Sequence, residues 1–207
     1  MKEKVPRGWY SGIDVEVPES TGAAESSAFP SGGVQPPIRA ARSPARKARR
    51  TGQVYVGPMT SDLTRFHEVQ EGPAGYVRAL AEIRAGAKHS HWIWYIFPQL
   101  RELGRSGTAR HYGLTPEEAR AWLADPVLST RLLEITLAAT DALRRSVPLE
   151  TLMGSDIDAL KLVSCMTLFR GVAEPGSAMA CATAEVLVRA EAEGYPPCGV
   201  TLKALAG

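Results

Sequence analysis

From residue 58 onward the chain is cut at short intervals by helix start and stop signals, and this punctuation constrains the fold more than any other feature. Thr115-Pro116-Glu117-Glu118 is the densest instance. A threonine hydroxyl can accept the unpaired N–H three residues on, proline suits the first helical position, and Glu118 can return its carboxylate to the threonine's own N–H. Asp125-Pro126 repeats the cap-then-proline pattern ahead of Leu128, Leu132, Ile135 and Ala139. Those four form one apolar stripe running toward Arg144-Arg145, where cations suit the helix dipole. Ser61 or Asp62 can cap a helix carrying Leu63, Phe66 and Val69. After the Gly72-Pro73 break, Tyr76, Val77, Leu80 and Ile83 mark another helix, closed by Gly86. Ser155 or Asp156 starts a helix through Leu160, Val163 and Thr167, and a last one is expected over residues 178–193, stopped by Gly194 and Pro196-Pro197.

No βαβ alternation appears, and no two β-branched runs meet across a hairpin turn. The one strand-like stretch is His91 to Phe97, which is apolar after its first residue and fits a buried strand or a buried helix equally well by period. With helices on either side and no strand to pair with, it is expected to be helical. The fold class that follows is all-α: a compact bundle of about six to eight short helices over residues 58–207.

Residues 1–57 read differently, as a disordered low-complexity tail of Gly, Pro, Ser, Ala and charge without usable periodicity. The tail holds nine basic and five acidic side chains, hence +4, and the whole chain is +2, so the remainder is −2. The helical part is therefore not a basic nucleic-acid domain. Within the tail, Arg39, Arg42, Arg46, Lys47, Arg49 and Arg50 can meet a phosphate backbone, although a solvated basic linker is the more economical account. No stretch has eighteen consecutive apolar residues and the tail has no secretory hydrophobic region, so no membrane segment is expected. Cys165, Cys181 and Cys198 are odd in number and form no CxxC pair. They fit small buried thiols in a reduced, cytoplasmic protein better than a disulfide scaffold or a zinc site, and no cofactor is expected.

Candidate chemistry concentrates in two places. In Lys88-His89-Ser90-His91-Trp92-Ile93-Trp94-Tyr95-Ile96-Phe97-Pro98-Gln99, proton-handling groups abut a dense aromatic block. His91 can serve as an acid or base near neutral pH, with Ser90 and Gln99 as hydrogen-bonding neighbours. The bland alternative is a half-buried His91 bonded to a backbone carbonyl, with Trp92, Trp94, Trp122 and Phe169 as core. A metal site would need His89 and His91 on one side of a strand together with His111 or a carboxylate, which the helical expectation disfavours. The second place is Asp158, Lys161, Ser164 and Thr167, three residues apart and so one polar stripe on a helix whose Cys165, Met166, Leu168 and Phe169 face the core. The stripe is either an exposed face or the lining of an anion pocket in which Asp158 orients Lys161. Arg101, Arg105 and Arg110 around Gly104-x-Ser106 can add anion contacts but read first as surface arginines.

These segments belong to a longer pattern. Leu63-x-x-Phe66, Lys88-x-Ser90-His91-Trp92-x-Trp94-x-x-Phe97-Pro98-Gln99-Leu100, Leu103-Gly104-x-Ser106, Tyr112, Glu118-Ala119 and Trp122-Leu123 come first. Gly154 and Asp158-x-x-Lys161-Leu162-x-Ser164-x-Met166-Thr167-Leu168-Phe169 follow. Together they resemble the bacterial domain-of-unknown-function family numbered 1810, small all-helical proteins with a SHWMWFxFPQ-type motif. The resemblance covers residues 60–170, more loosely to 205. It implies an all-α fold but no established reaction; a "calpastatin" label on some members would imply protease inhibition by a non-catalytic interaction module. The tail to residue 57 falls outside the pattern, and Tyr195-Pro196-Pro197-Cys198-Gly199 stands where the family usually has Gly-Asp. The function expected is a polar pocket of Ser90, His91, Gln99, Asp158, Lys161, Ser164 and Thr167 for a small anionic ligand, phosphorylated or nucleotide-like, with His91 as a possible catalyst.

Overall fold

Asp125 shows how the local signals become architecture. Its carboxylate accepts the backbone N–H groups of Val127 (3.0 Å) and Leu128 (2.9 Å), and Pro126 fills the first helical position of the longest helix. Thr115 and Glu118 form the reciprocal capping box, with Glu118 N–H donating to the threonine hydroxyl (3.2 Å) and Thr115 N–H donating to the Glu118 carboxylate (2.8 Å). The computed structural model describes residues 62–206, so the tail, with the six basic residues from Arg39 to Arg50, lies outside the described residues.

The described chain is helical throughout: α1 (Thr64–Glu71), α2 (Tyr76–Ala85), α3 (Ile93–Ile96), α4 (Gly107–His111), α5 (Pro116–Ala124), α6 (Pro126–Arg144), α7 (Leu149–Met153), α8 (Asp156–Val172), α9 (Ala178–Ala192) and α10 (Gly199–Ala206). A single 3-10 turn, Arg101–Leu103, lies between α3 and α4. The all-α expectation holds, and the helices number ten because α3, α4 and α7 are one-turn pieces without their own periodicity. The aromatic block is helical only over Ile93–Ile96; His89 to Trp92 approach it as a bent loop. Leu100 and Leu114 form an isolated parallel bridge, with Arg101 N–H donating to the Leu114 carbonyl (2.8 Å) and Leu114 N–H to the Gln99 carbonyl (2.9 Å).

α8 is the central element, packed by α9, α7, α10 and α5. From Leu162 to Phe169 it is buried on every side, which is why its apolar residues do not form a stripe. Phe66, Trp92, Phe97, Trp122 and Phe169 fill the core around it. Edge-on contacts of Phe66 with Trp122 (centroids 4.7 Å apart) and Trp122 with Phe169 (5.9 Å) tie α1, α5 and α8 together. Two apolar residues expected inside are outside: Val77 is 81% exposed and Leu160 49%. Each lies on an otherwise correct helix but rotated onto its solvent side, and in α1 the buried neighbour of Phe66 is Gln70, whose amide donates to the Tyr95 carbonyl (2.7 Å).

Candidate functional site

Lys88 is placed by backbone first. Its N–H donates to the Leu152 carbonyl at the end of α7 (2.9 Å). Gly154, held at φ +74°, lies so close that a β-carbon there would meet the Lys88 carbonyl oxygen at 2.7 Å. This close approach sends the Lys88 side chain, almost fully buried, to Asp158 Oδ2 at 2.6 Å. One turn along α8, Lys161 Nζ reaches Asp158 Oδ1 at 2.8 Å. Asp158 is thus shared between two ammonium groups, and the trio carries a surplus positive charge. Burial raises the Asp158 carboxyl, but the hydrogen bonds from Lys161 and Lys88 outweigh it and the group ends below the ordinary carboxylate range. Both lysines also face indole rings: Lys161 Nζ lies 3.7 Å from the Trp94 centroid and Lys88 Nζ 5.4 Å from that of Trp92.

The loop preceding α3 is pinned by a residue that sequence reasoning missed, Glu82 of α2. Its carboxylate accepts the N–H groups of His89 (2.8 Å) and Ser90 (3.0 Å), the Trp92 indole N–H (2.8 Å) and the Ser90 hydroxyl. Burial opposes its charge, yet these four donors pull its pKa from 4.5 down to about 2. Ser90 is consequently a loop anchor, its hydroxyl committed to Glu82. His91 is exposed, and among the described residues its ring makes no hydrogen bond. The alternative of a half-buried histidine bonded to a carbonyl is corrected by the loop's geometry, which turns Trp92 into the core and leaves His91 in solvent.

Lys161 faces a groove of about 730 Å³. One wall runs from Trp94 and Gln99 through Leu103, Arg105 and Ser106; the floor is the α8 face bearing Ile157, Leu160, Lys161 and Ser164; Pro196 and Cys198, between α9 and α10, close the other side. Of the residues expected to share a site, the groove gathers Gln99, Lys161 and Ser164, whereas His91, Ser90, Asp158 and Thr167 are not in its lining. Asp158 stands behind Lys161, and Thr167, fully buried, donates to the Val163 carbonyl (2.7 Å) and accepts the Cys198 N–H (3.1 Å), so it fixes the wall rather than facing the ligand space. The Ser164 hydroxyl lies 3.3 Å from that of Thr201. Trp94, expected as core, is half-buried and lines the groove.

Cys198 directly precedes α10, and its carbonyl accepts the Leu202 N–H (2.9 Å). Burial raises its thiol, but the polar groups of Thr201, Ser164 and Val200 around it more than offset this, and the thiol titrates below its ordinary value. The expectation of uniformly buried cysteines is corrected: Cys165 is buried, its thiol driven upward by desolvation, Cys198 is half-buried and Cys181 exposed. A cysteine at the start of a short helix after Pro196-Pro197 was the available sequence signal, masked because the double proline reads as a terminus. Among the described residues no group of three or more His, Cys, Asp and Glu side chains could hold a metal ion, and no helix is long and apolar enough to cross a membrane.

The chain is similar to the conserved hypothetical protein Rv1873 from Mycobacterium tuberculosis, known from a crystal structure. The two are 35% identical with a TM-score of 0.59, over 70% of this chain and 97% of that one. None of the curated proteins compared matches the chain. The family described as "Protein of unknown function (DUF1810)" matches residues 60–189, more than half of the sequence, and the chain belongs to it.

Proposed function

We propose that this domain binds a small organic anion in the groove over Lys161. The observation that carries the reading is charge: the lining contains two cations, Lys161 and Arg105, and no carboxylate. Lys161 is held by Asp158, itself shared with Lys88, while Arg105 has no ion-pair partner among the described residues. A volume of about 730 Å³ falls in the range of small-molecule sites. Gln99 adds an amide that can donate or accept, and Cys198 a polarised thiol. Binding, rather than histidine acid–base catalysis, is the reading supported, since the His91 ring is not part of the groove. A reducing, cytoplasmic setting is part of the proposal and fits three free cysteines.

Pro196 and Cys198, which close one wall of the groove, lie beyond residue 189, where the family match ends. The test is calorimetric titration of the purified chain with a panel of organic carboxylates and phosphates. Binding is expected to weaken at least tenfold in Lys161→Met and Arg105→Ala, through loss of a charge-assisted hydrogen bond in each case, and to be unchanged in His91→Ala. Equal affinity in all four proteins would exclude this groove. A second reading, a protein-docking surface, draws on the exposed Ile157 and Leu160 of α8 and Val200 and Leu202 of α10.

A further inference from the structure

We infer that the groove's occupant is a single-chain amphipathic carboxylate, an anionic head on an unbranched apolar tail, and not a nucleotide. The inference rests on the anion-groove reading and narrows its ligand class. Three features of the lining favour the tail. Ile157 and Leu160, 65% and 49% exposed on the solvent side of α8, form the floor of the groove. Leu103, Ala109 and Pro196 continue the apolar lining around them. Between Ile157 and Ser164 the floor follows seven residues of α8, about 10 Å at the helical rise, long enough for an extended chain.

The same lining argues against a nucleotide. Its one aromatic ring, Trp94, has Lys161 Nζ 3.7 Å from its centroid, so that face is not free to stack on a base. The Ser164 hydroxyl, which would otherwise be a base- or sugar-reading group, is turned to Thr201 at 3.3 Å. The charges suit an anionic head. Asp158 offsets one of the two lysines it holds, leaving that trio one positive charge, and Arg105 offers a planar fork that matches a carboxylate. The head would lie between Lys161 and Arg105, with the tail over Leu160 and Ile157.

The full chain is titrated with butanoate, hexanoate, octanoate and decanoate, and with 1-octanol, AMP and inorganic phosphate, by calorimetry. In parallel, alkylation of Cys198 by iodoacetamide is followed by peptide mass spectrometry, with exposed Cys181 as the internal control. Affinity is expected to rise about fivefold or more for every two methylenes added, given roughly 0.8 kcal/mol for each fully buried methylene. Octanoate should slow alkylation of Cys198 but not of Cys181. Ile157→Asn and Leu160→Asn, both at exposed positions, should cost octanoate several-fold while leaving butanoate nearly unchanged. Affinity independent of chain length, or binding by AMP but not octanoate, overturns the ligand class and leaves the anion groove standing. Equal binding of octanol and octanoate, insensitive to Lys161→Met, removes the anion reading as well. Should only an acidic amphipathic helical peptide protect Cys198, the occupant is a protein segment and the inference fails.

Discussion

Replacing Glu82 with glutamine is expected to destabilise the fold by about 2 kcal/mol, because an amide cannot accept four donors and two of them are backbone N–H groups. The pH dependence has a definite sign. A carboxylate whose pKa falls from 4.5 to about 2 on folding contributes fully above 4.5 and loses that contribution as the solution is acidified toward 2. Acid unfolding of Glu82→Gln should therefore be less steep over that window than in the parent, as followed by circular dichroism. For Cys198 the direction is likewise set: with its thiol lowered by Thr201 and Ser164, it should label with iodoacetamide ahead of buried Cys165, whose thiol is raised. Thr201→Val should slow that labelling without unfolding the chain. Neither residue was legible in advance. Glu82 looks like any helical glutamate, since its donors come from a loop seven to ten positions on and no local rule pairs them. Ser90 and His91 were singled out as chemistry-bearing types, yet which of two adjacent side chains turns outward is decided by Glu82 and the packing of Trp92.

At the level of helices, those of two turns or more with an apolar period were readable, and the short ones or those capped from afar were not. Thr115, Asp125 and Ser155 each accept N–H groups of the following turn, and α5, α6 and α8 start where those residues predict. Thr115→Ala is expected to cost about 1 kcal/mol, measured by urea unfolding. α7 has no side-chain cap of its own; the Leu149 N–H is taken by Glu193, forty-four residues away (2.7 Å). α10 follows a double proline, and α4, although capped by Ser106, is only five residues long. The polar stripe of α8 was legible as a stripe, but its division was not. Asp158 and Lys161 pair at one end, Ser164 turns to Thr201, and Thr167 holds the Cys198 backbone, each set by what packs against α8. Asp158→Ala strands two partly buried lysines and should cost about 3 kcal/mol, several times more than Lys161→Met, with the difference visible in thermal melts.

For the whole molecule, the all-helical class followed from punctuation and from missing β patterns, whereas the groove required three segments far apart in sequence to converge: residues 94–109, 157–164 and 196–198. No single-sequence period reports such convergence. Removing residues 1–57 would change net charge from +2 to −2. The remaining chain is expected to melt in one cooperative transition within about 2 °C of the parent, by scanning calorimetry. Any salt-sensitive retention on nucleic acid should vanish with the deletion; retention that persists would locate it in the helical part. The two-to-one arrangement at Asp158 has a last consequence, for exchange of partners. In a one-to-one buried ion pair, a lysine drawn to a guest anion abandons its carboxylate, and the host is left with an uncompensated charge. Here Lys88 remains at 2.6 Å, so Lys161 is a spare counterion, released to a newcomer while Asp158 stays neutralised.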